Sequence, residues 1–315
     1  MLAEIPALHR SGIDSPRLAL RRRFVAQLER LAPRPGRNVT AWPGLTCFRS
    51  EQPTAMDSTV YRPAFCVVGQ GAKEATLANH VYRYDSLQYL IIGAPMPMRA
   101  RVVEATPAAP YLSLTLDIQA TQVRPLLLEL DRGRNRQAPW SGTPPLRVSA
   151  LDERFLDAIV RFLECLDDEV ERRVLAPGVL REIFFLTLQR DQGDLLALAL
   201  GSGRRSAGVA RALHYIHAHL EERFDIGTLA RAAGMSTSSL HHRFKAATTL
   251  TPVQYLKAMR LDRARRLMID EGFQAAEAAL RVGYESPSQF SREFKRNFGL
   301  SPREVRRELA SPERG

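Results

Sequence analysis

The sequence of 315 residues predicts an α+β fold, with a β-rich N-terminal part followed by an all-α C-terminal part. Two observations predict this division. Short strand-like runs separated by turn residues fill much of 45–118, which is typical of a small barrel or sandwich. A segment near the C-terminus is duplicated, in 229–255 and 278–305, and each copy has the pattern of helix, tight turn and helix. A chain of this length can form two domains, each with its own core.

The N-terminal part begins with a helix predicted over 17–31 and continues in strands bounded by turn residues. In the clearest strand, 111–118, leucines alternate with polar residues, which predicts one buried side and one polar side. Many short strands with glycine and proline turns predict a barrel or a sandwich. The predicted strands are 45–48, 64–68, 81–84, 89–92, 99–103 and 111–118.

After the last of these strands the apolar residues repeat at helical spacing. Amphipathic helices are predicted over 122–130, 149–169 and 177–192, and Phe155 and Ile159 give the second of them a long apolar face. The simpler interpretation of these helices is that they cover the sheet.

A flexible connection is predicted between the two parts of the chain. Residues 201–206 are glycine, serine and arginine only, a composition typical of linkers. We therefore predict an N-terminal domain over 1–200, a linker over 201–208 and a C-terminal domain over 209–312.

Each copy of the duplicated segment is predicted to form a helix-turn-helix. In the first copy Gly234 supplies the turn, and Ser236 or Thr237 caps the second helix. In the second copy Gly283 supplies the turn, and Ser286 caps a helix whose first residue is a proline. The apolar residues predicted to face inward on the second helices are Leu240 and Phe244 in one copy and Phe290, Phe294 and Phe298 in the other.

The opposite faces of these second helices carry hydrogen-bond donors and cations. At about 100° per residue, the outward positions follow directly from the inward ones. They are Ser238, His241, His242 and Lys245 in the first copy and Ser288, Ser291, Arg292 and Lys295 in the second. Neither face has a carboxylate, which suits the acceptor-rich edge of guanine and the neighbouring phosphates. A polar outer face is also typical of any solvated helix, but two matching faces favour DNA binding.

One long helix is predicted to join the two copies. Thr251 and Gln254 form a capping-box pattern, and the helical pattern continues to Met268 before Gly272. Roughly 20 residues at 1.5 Å each span about 30 Å. Because one turn of duplex DNA spans about 34 Å, such a helix could hold both units against successive major grooves.

Positive charge is concentrated in the C-terminal part. The chain has a formal net charge of +11 at pH 7. From residue 201 onward Lys and Arg outnumber Asp and Glu by 20 to 12, against 25 to 22 before it. This balance predicts a polyanionic partner and salt-sensitive binding. A membrane surface is the rival partner, but the aromatic residues of the basic helices lie at core spacing rather than in an exposed stripe.

The sequence also favours a cytoplasmic protein without a metal or cofactor. It has no apolar leader segment and no run of 18 apolar residues. Its three cysteines lack metal-site spacing, so we expect buried, reduced thiols, although a redox pair of Cys47 and Cys66 stays open. The predicted barrel contains only His80 as a candidate imidazole ligand, which argues against a metal enzyme.

Three further patterns are given their simpler interpretation. His214, His217 and His219 lack a fourth ligand nearby, so we interpret them as helix histidines rather than a zinc site. Arg132 and Arg136 have the spacing of some cyclic-dinucleotide sites, but a solvated loop is favoured. No nucleophile elbow, P-loop or dinucleotide motif occurs, so no catalytic residue is predicted.

The duplicated segment resembles a known family. LARAAGMSTSSLHHRFKAATTLTPVQYLKAMRLDRARRLM and GYESPSQFSREFKRNFGLSP resemble the DNA-binding domain of the AraC/XylS family of bacterial transcriptional regulators. AFCVVGQGAKEATLANHVYRYDSLQYLIIGAPMPMRARVVEATPAAPYLSLTLDI resembles the cupin-like sensor domain of one subgroup of that family. The resemblance implies an N-terminal cupin-like β-barrel with flanking helices, and a C-terminal all-α domain of two helix-turn-helix motifs joined by a long helix.

The resemblance also implies roles and partners. Base contacts would come from Ser238, His241, His242, Ser288, Ser291 and Arg292, and phosphate contacts from Lys245, Lys295 and Arg296. The implied partners are double-stranded promoter DNA, RNA polymerase, a small-molecule effector in the barrel and a second protomer paired through the flanking helices. The chain departs from the family at Thr249, where glycine is usual. Because a β-branched residue disfavours a left-handed backbone, the first recognition helix is expected to end differently from the second.

Two other classes of function are carried as alternatives. A non-specific architectural DNA-binding protein would use the same basic surface without base preference. An enzyme fused to a DNA-binding unit would need a reactive group of residues in the barrel.

Overall fold

The computed structural model of the chain describes residues 16–77, 80–131, 146–190, 192–193, 195–196 and 207–305. The predicted connection at 201–206 and the pair Arg132 and Arg136 lie outside these residues. Within them the fold is α+β, as predicted, with two β-sheets and flanking helices followed by a helical C-terminal part.

Ten strands form the N-terminal barrel in the described part of the chain. They are β1 (Gly36–Val39), β2 (Leu45–Ser50), β3 (Asp57–Tyr61), β4 (Ala64–Gln70), β5 (Ala72–Leu77), β6 (His80–Asp85), β7 (Gln88–Ile92), β8 (Met96–Glu104), β9 (Tyr111–Asp117) and β10 (Leu146–Ala150). A six-stranded sheet has the order β1-β2-β9-β4-β7-β10, and a four-stranded sheet has the order β3-β8-β5-β6. Each pairing between neighbouring strands in these two orders is antiparallel.

Five helices accompany the barrel among the described residues. They are α1 (Pro16–Leu31), α2 (Ala120–Asp131), α3 (Glu153–Glu164), α4 (Glu169–Val174) and α5 (Ala176–Leu188). Phe24 of α1, Phe155 of α3 and Phe184 of α5 are fully or almost fully buried in one core with the six-stranded sheet. The helices therefore do cover the sheet, which was one of the two roles that the sequence left open. Pairing of two protomers through them stays a prediction.

Strand β9 shows why the six-stranded sheet needs its alternating pattern. Leu112, Leu114 and Leu116 lie in the core shared with the helices. The intervening Ser113 is only 9% exposed, because the polar side of β9 faces the barrel interior rather than solvent. The sheet is thus buried on both sides, and its polar side lines a cavity.

The predicted helix over 149–169 is wrong at both ends. Its first residues belong to β10, which pairs with β7 in the register Val148 to Leu90. Helix α3 begins only after Asp152, whose side chain accepts a hydrogen bond from the backbone N–H of Phe155 at 2.8 Å. Asp168 then caps the separate helix α4 in the same way. Each break is therefore produced by an aspartate cap, a local feature that the apolar periodicity does not reveal.

The C-terminal part contains six helices and a final helical turn at 302–305 within the described ranges. They are α6 (Ala207–Ala218), α7 (Ile226–Ala233), α8 (Thr237–Thr248), α9 (Pro252–Ile269), α10 (Ala275–Arg281) and α11 (Pro287–Phe298). The two predicted helix-turn-helix units are α7 with α8 and α10 with α11. Helix α9 joins them, and α8 and α11 are the predicted recognition helices.

Candidate nucleic-acid interface

Both recognition helices begin at serine caps, as predicted. The Ser236 hydroxyl accepts a hydrogen bond from the N–H of Ser239 at 3.2 Å, and the Ser286 hydroxyl accepts one from the N–H of Gln289 at 3.3 Å. The inward residues Leu240, Phe244, Phe290 and Phe294 are at most 1% exposed. Phe298, predicted on the same face, is partly buried against the second unit. The buried faces and caps fix which side of each helix meets solvent.

The turn of the second unit requires a glycine because of its positive φ and a nearby backbone carbonyl oxygen. Gly283 has a φ of +81°, and a Cβ there would lie 2.7 Å from the carbonyl oxygen of Glu221. Arg260 of α9 donates to the carbonyl oxygens of Gly283 at 3.0 Å, Glu222 at 2.6 Å and Leu220 at 2.7 Å. One guanidinium therefore joins the segment before the first unit to the turn of the second.

All nine residues predicted to contact DNA are exposed. They are Ser238, His241, His242, Lys245, Ser288, Ser291, Arg292, Lys295 and Arg296. Two of the serines have partners within α11 or its cap. The Ser291 hydroxyl donates to the Pro287 carbonyl oxygen at 2.9 Å, and the Ser288 hydroxyl lies 2.9 Å from that of Ser286. A hydroxyl that donates in this way keeps lone pairs with which it can accept a further hydrogen bond.

The cations of the recognition helices differ from those of α9 in their pairing. Lys245, Arg292, Lys295 and Arg296 form no ion pair with a carboxylate among the described residues. The basic residues Lys257, Arg263, Arg265 and Arg266 of α9 each have a carboxylate partner within 3.4 Å. Unneutralised positive charge is therefore concentrated on the outer faces of α8 and α11, where a polyanion could approach.

The expectation that the first recognition helix ends differently is wrong. Thr249 adopts a φ of +62°, close to the +80° of Gly299, and both residues donate their N–H to the residue four positions earlier. Local hydrogen bonds accompany the strained threonine: its hydroxyl donates to the Thr248 carbonyl oxygen at 2.6 Å, and the Thr248 hydroxyl donates to the carbonyl of Leu250 at 3.0 Å. Side-chain bonds therefore support a backbone conformation that favours glycine.

Equivalent positions of the two recognition helices hold opposite charges. Arg243 of α8 is exposed beside the predicted contacts, and the sequence analysis missed it. Its counterpart Glu293 of α11 faces inward, where it accepts from Lys257 Nζ at 2.7 Å and from the Tyr284 hydroxyl at 2.8 Å. Burial opposes ionisation, but these bonds and one from Gln289 hold the pKa of Glu293 below its usual value. Glu293 thus ties the second recognition helix to α9, whereas Arg243 adds a free cation to the first.

Helix α9 has the dimensions that the sequence predicted. It contains 18 residues and begins with the predicted capping box, in which Thr251 and Gln254 each bond the other's backbone N–H. At 1.5 Å per residue its length is about 27 Å. This length is somewhat shorter than the roughly 34 Å of one duplex turn.

Helix α9 also docks against the barrel, at the edge strand β3. The carboxylate of Asp262 accepts from the backbone N–H of Val60 at 3.2 Å and pairs with Arg266 at 3.0 Å. Arg265 donates to the carbonyl oxygen of Ser58. Asp262 is only 7% exposed, and burial raises the pKa of its carboxyl group despite the nearby arginines. The helix that joins the two recognition units is therefore also the helix that contacts the barrel.

A second contact joins the barrel to the first turn of α9. The buried Tyr255 hydroxyl donates to the carbonyl oxygen of Pro95 at 2.8 Å and lies 2.9 Å from Nε2 of His217 in α6. Since Tyr255 donates its hydroxyl proton to the carbonyl oxygen, it can only accept in its hydrogen bond with His217. The hydrogen-bond network therefore assigns the imidazole proton to Nε2. Burial, with contributions from Arg266 and His214, lowers the pKa of His217 to about 4. His217 is therefore a neutral donor in a barrel-to-helix hydrogen-bond chain.

Two cavities lie near these contacts, and they differ greatly in size. The barrel interior, between the two sheets, has a cavity of about 20 Å³, which holds about one water molecule. Lys73 lies in it, with its Nζ 5.5 Å from the ring centre of Tyr61 and 5.9 Å from that of Phe48. A cleft of about 760 Å³ separates the barrel and α2 from α6. Only the cleft has room for an organic molecule.

The strand register separates the two cysteines that could have formed a redox pair. Cys47 pairs across β2 and β9 with Leu114, whose β4 partner is Val67, so these three side chains share the helix-covered side. Cys66 is next to Val67 and points to the barrel interior. Two strands at about 4.8 Å each also place their Cα atoms roughly 10 Å apart, beyond disulfide reach. Burial raises the pKa of the Cys47 thiol to about 12.

The three helix histidines have separate environments. His214 is exposed, His217 bonds Tyr255, and His219 stacks on Tyr215 with ring centres 4.3 Å apart. No cluster of three or more metal-ligating side chains occurs among the described residues. Of the helices that the structure describes, none is both long enough and apolar enough to cross a lipid bilayer.

Comparisons with known proteins match both parts of the chain. The family model of the AraC-type transcriptional regulator N-terminus matches residues 41–195, and that of a helix-turn-helix domain matches 229–308. The transcriptional activator RhaS of Enterobacter sp. (strain 638) is 30% identical over 148 residues, 47% of this chain and 52% of that protein. RhaS of Salmonella agona is 32% identical over 151 residues, 47% of this chain and 53% of that protein. The chain spans about half the length of the curated relatives it matches.

Solved structures share the overall fold. ToxT from Vibrio cholerae superposes with a TM-score of 0.57 over 84% of this chain and 97% of its own, at 10% identity. Apo ToxT superposes over 86% of this chain and 100% of its own chain, with a TM-score of 0.55. The two family models together cover most of the barrel and nearly all of both helix-turn-helix units. The chain belongs to the AraC-type family of transcriptional regulators.

Proposed function

We propose that this protein is a sequence-specific DNA-binding transcription regulator that acts in the cytoplasm and has no catalytic activity of its own. The observation that carries the proposal is the matched pair of exposed faces on α8 and α11, whose free cations are fixed to one helix of about 27 Å. In this arrangement both recognition helices would enter the major groove from one side of a DNA duplex.

The nine exposed residues divide into two roles. Side chains near the start and middle of each recognition helix would contact base edges: Ser238, His241 and His242 in α8, and Ser288, Ser291 and Arg292 in α11. Lys245, Lys295 and Arg296 near the helix ends would bind phosphates. Arg243, exposed on α8, is a further candidate for phosphate contact because its cation has no carboxylate partner in the described part of the chain.

Regulation is proposed to follow from the contacts between the barrel and α9. A small molecule bound by the N-terminal domain, 1–200, would change the stability of these contacts and so the positions of the two units. The fold neighbour ToxT has been solved with an unsaturated fatty acid, which is consistent with effector binding on this architecture. RNA polymerase and a second protomer are further proposed partners, the latter through α3 and α5.

Two alanine variants test the DNA-binding proposal. Arg292→Ala should cost about 1–3 kcal/mol of binding free energy at one cognate base pair and relax the preference there. Lys295→Ala should weaken all sequences alike and lower the slope of log affinity against log salt by about 1. Arg37→Ala, which removes an exposed cation of β1 in the N-terminal domain, away from the proposed interfaces, is the matched control.

The measurement is binding of the full chain to genomic fragments that it selects, compared with random duplexes at one fixed salt concentration. Equal affinity for selected and random DNA would establish the architectural alternative. Binding that depends on Arg37 but not on Arg292 or Lys295 would show that the interface lies elsewhere.

A further inference from the structure

The cleft between the barrel and the C-terminal part has the volume of a small-molecule site. Its volume of about 760 Å³ lies within the range of roughly 300–1,000 Å³ typical of ligand pockets. One wall is formed by the barrel turns at Pro63 and Ala94 together with α2, and the other by α6. The barrel interior, at about 20 Å³, is too small for the same task in this conformation.

The cleft is lined mainly by small or apolar side chains, together with a few basic or polar ones. Ala94, Ala120 and Ala210 leave the space open, because their side chains end at Cβ. Arg124 and His214 also line the cleft and are exposed, and neither has a carboxylate partner within the described ranges. The residues that line the cleft include no Asp or Glu.

Two further polar groups of the cleft are already engaged. Arg211 donates to the carbonyl oxygen of Ala233 at 2.6 Å, which holds its guanidinium in place beside the turn of the first unit. His219 pairs with Glu222 at 2.8 Å while it stacks on Tyr215. Both stacked rings line the cleft, and the unpaired cation of Arg124 lies on α2, on the barrel side of the cleft.

We propose that this cleft binds a small organic anion, with a carboxylate or sulfonate held by Arg124 and a flat apolar body between the alanines. This inference rests on the proposed function, since it assigns the effector of that regulator to the inter-domain cleft instead of the barrel interior. An anion is favoured because Arg124 supplies positive charge and no Asp or Glu lines the cleft. A flat body is favoured because apolar side chains and two stacked rings line the cleft.

A ligand in the cleft touches both ends of the hydrogen-bond chain that joins the barrel to α9. Pro95 and His217 line the cleft, and both bond the Tyr255 hydroxyl in the first turn of α9. A molecule wedged between the two walls therefore changes the separation of the groups that hold α9. Because α9 joins the two recognition units, occupancy of the cleft is coupled to their placement.

The test uses two naphthalene probes that differ in charge. 8-Anilinonaphthalene-1-sulfonate carries a sulfonate, and N-phenyl-1-naphthylamine has the same rings without it. Both are titrated into the full chain by fluorescence. We expect the sulfonate to bind at one site per chain. Arg124→Ala should weaken it about tenfold, as loss of one charge-assisted hydrogen bond predicts, and leave the neutral probe unchanged.

Three variants identify the site. Ala210→Phe, which fills the cleft, should weaken both probes. Arg37→Ala on β1 should affect neither. Lys73→Met, which removes the cation of the barrel interior, should also have no effect, and probe binding lost in Lys73→Met but kept in Arg124→Ala would overturn the assignment to the cleft.

DNA binding is measured separately on the same samples. One outcome is that the chain binds DNA sequence-specifically while neither Arg124→Ala nor Ala210→Phe changes its affinity for the probes. That result would refute the cleft site and leave the proposed function unaffected. Absence of specific DNA binding would refute the proposed function even if the cleft binds the sulfonate. If the cleft binds the sulfonate probe and the chain binds specific DNA, saturating sulfonate should change the DNA affinity of the parent chain. The change should be smaller in Arg124→Ala.

Discussion

Lowering the pH should destabilise the protein through the partly buried imidazole of His217. His217 bonds the Tyr255 hydroxyl as a neutral donor, and burial lowers its pKa from 6.5 to about 4. A group whose folded-state pKa is depressed takes up its proton preferentially in the unfolded chain. Its contribution is therefore fully present above about pH 6.5 and is lost as the pH falls toward about 4.

The size of the effect follows from the two pKa values. At about pH 5, which is about one and a half pH units below the unfolded-state pKa, His217 is protonated in the unfolded chain. In the folded chain it is still mostly neutral at this pH. At about 1.4 kcal/mol per unit, the free energy of unfolding should fall by about 2 kcal/mol between about pH 7.5 and about pH 5.

The assay is urea unfolding at both pH values and constant salt, for the parent chain and for His217→Gln. Glutamine can still donate to Tyr255 but does not titrate, so the difference between parent and variant isolates the imidazole from carboxyl groups such as that of Asp262. His214→Gln, an exposed histidine on the same helix, is the control and should keep the parent's pH dependence. The reasoning is refuted if His217→Gln loses as much stability as the parent chain over this interval.

Three other substitutions test particular contacts. Thr249→Gly should raise the free energy of unfolding by about 1 kcal/mol in thermal melts, because glycine relieves the positive φ, and Gly299→Thr should lower it; equal stability of all three chains would contradict the strain argument. Glu293→Gln should remove the ion pair with Lys257 and weaken cognate DNA binding severalfold, and unchanged DNA affinity would show that α11 needs no such anchor. Asp262→Ala should cost about 2 kcal/mol in urea unfolding and Asp262→Asn less, because asparagine still accepts from Val60; the reverse order would exclude that bond.

The helical C-terminal part was predictable because its determinants are local. Gly234, Ser236 and Ser286 each act within a few residues, through a left-handed turn or a cap, and their spacing repeats. The buried and exposed faces of the recognition helices then follow from the helical period. The duplication allowed each unit to support the interpretation of the other.

Several strands were missed because their cause is not local. Strand β1, Gly36–Val39, has no apolar alternation, and it is extended because it pairs with β2 from Gly36 opposite Arg49 to Val39 opposite Thr46. Strand β5 contains Lys73 and Glu74, charged residues that favour a loop in isolation, yet it lies between β8 and β6. Pairing with neighbouring strands, rather than the apolar pattern of their own residues, decided both elements.

In the candidate interface, sequence reasoning located the exposed cations but not their surroundings. It treated the two recognition helices as equivalent, whereas Arg243 faces solvent and Glu293 is bonded to Lys257. It expected Thr249 to change the end of α8, because it could not include the side-chain hydrogen bonds of Thr248 and Thr249. The first difference depends on a contact between distant elements, and the second on local side-chain hydrogen bonds that apolar periodicity does not reveal.

The three carbonyl bonds of Arg260 have a consequence for the operators that this protein can use. A guanidinium that spans Leu220, Glu222 and Gly283 leaves little freedom for one recognition unit to rotate against the other. Since B-DNA turns once in about 10.5 base pairs, five extra base pairs between half-sites would place them on opposite sides of the duplex. Two recognition units held in a fixed relative orientation cannot follow that rotation. DNA affinity should therefore fall sharply when the spacing between half-sites changes, and Arg260→Met should reduce this sensitivity.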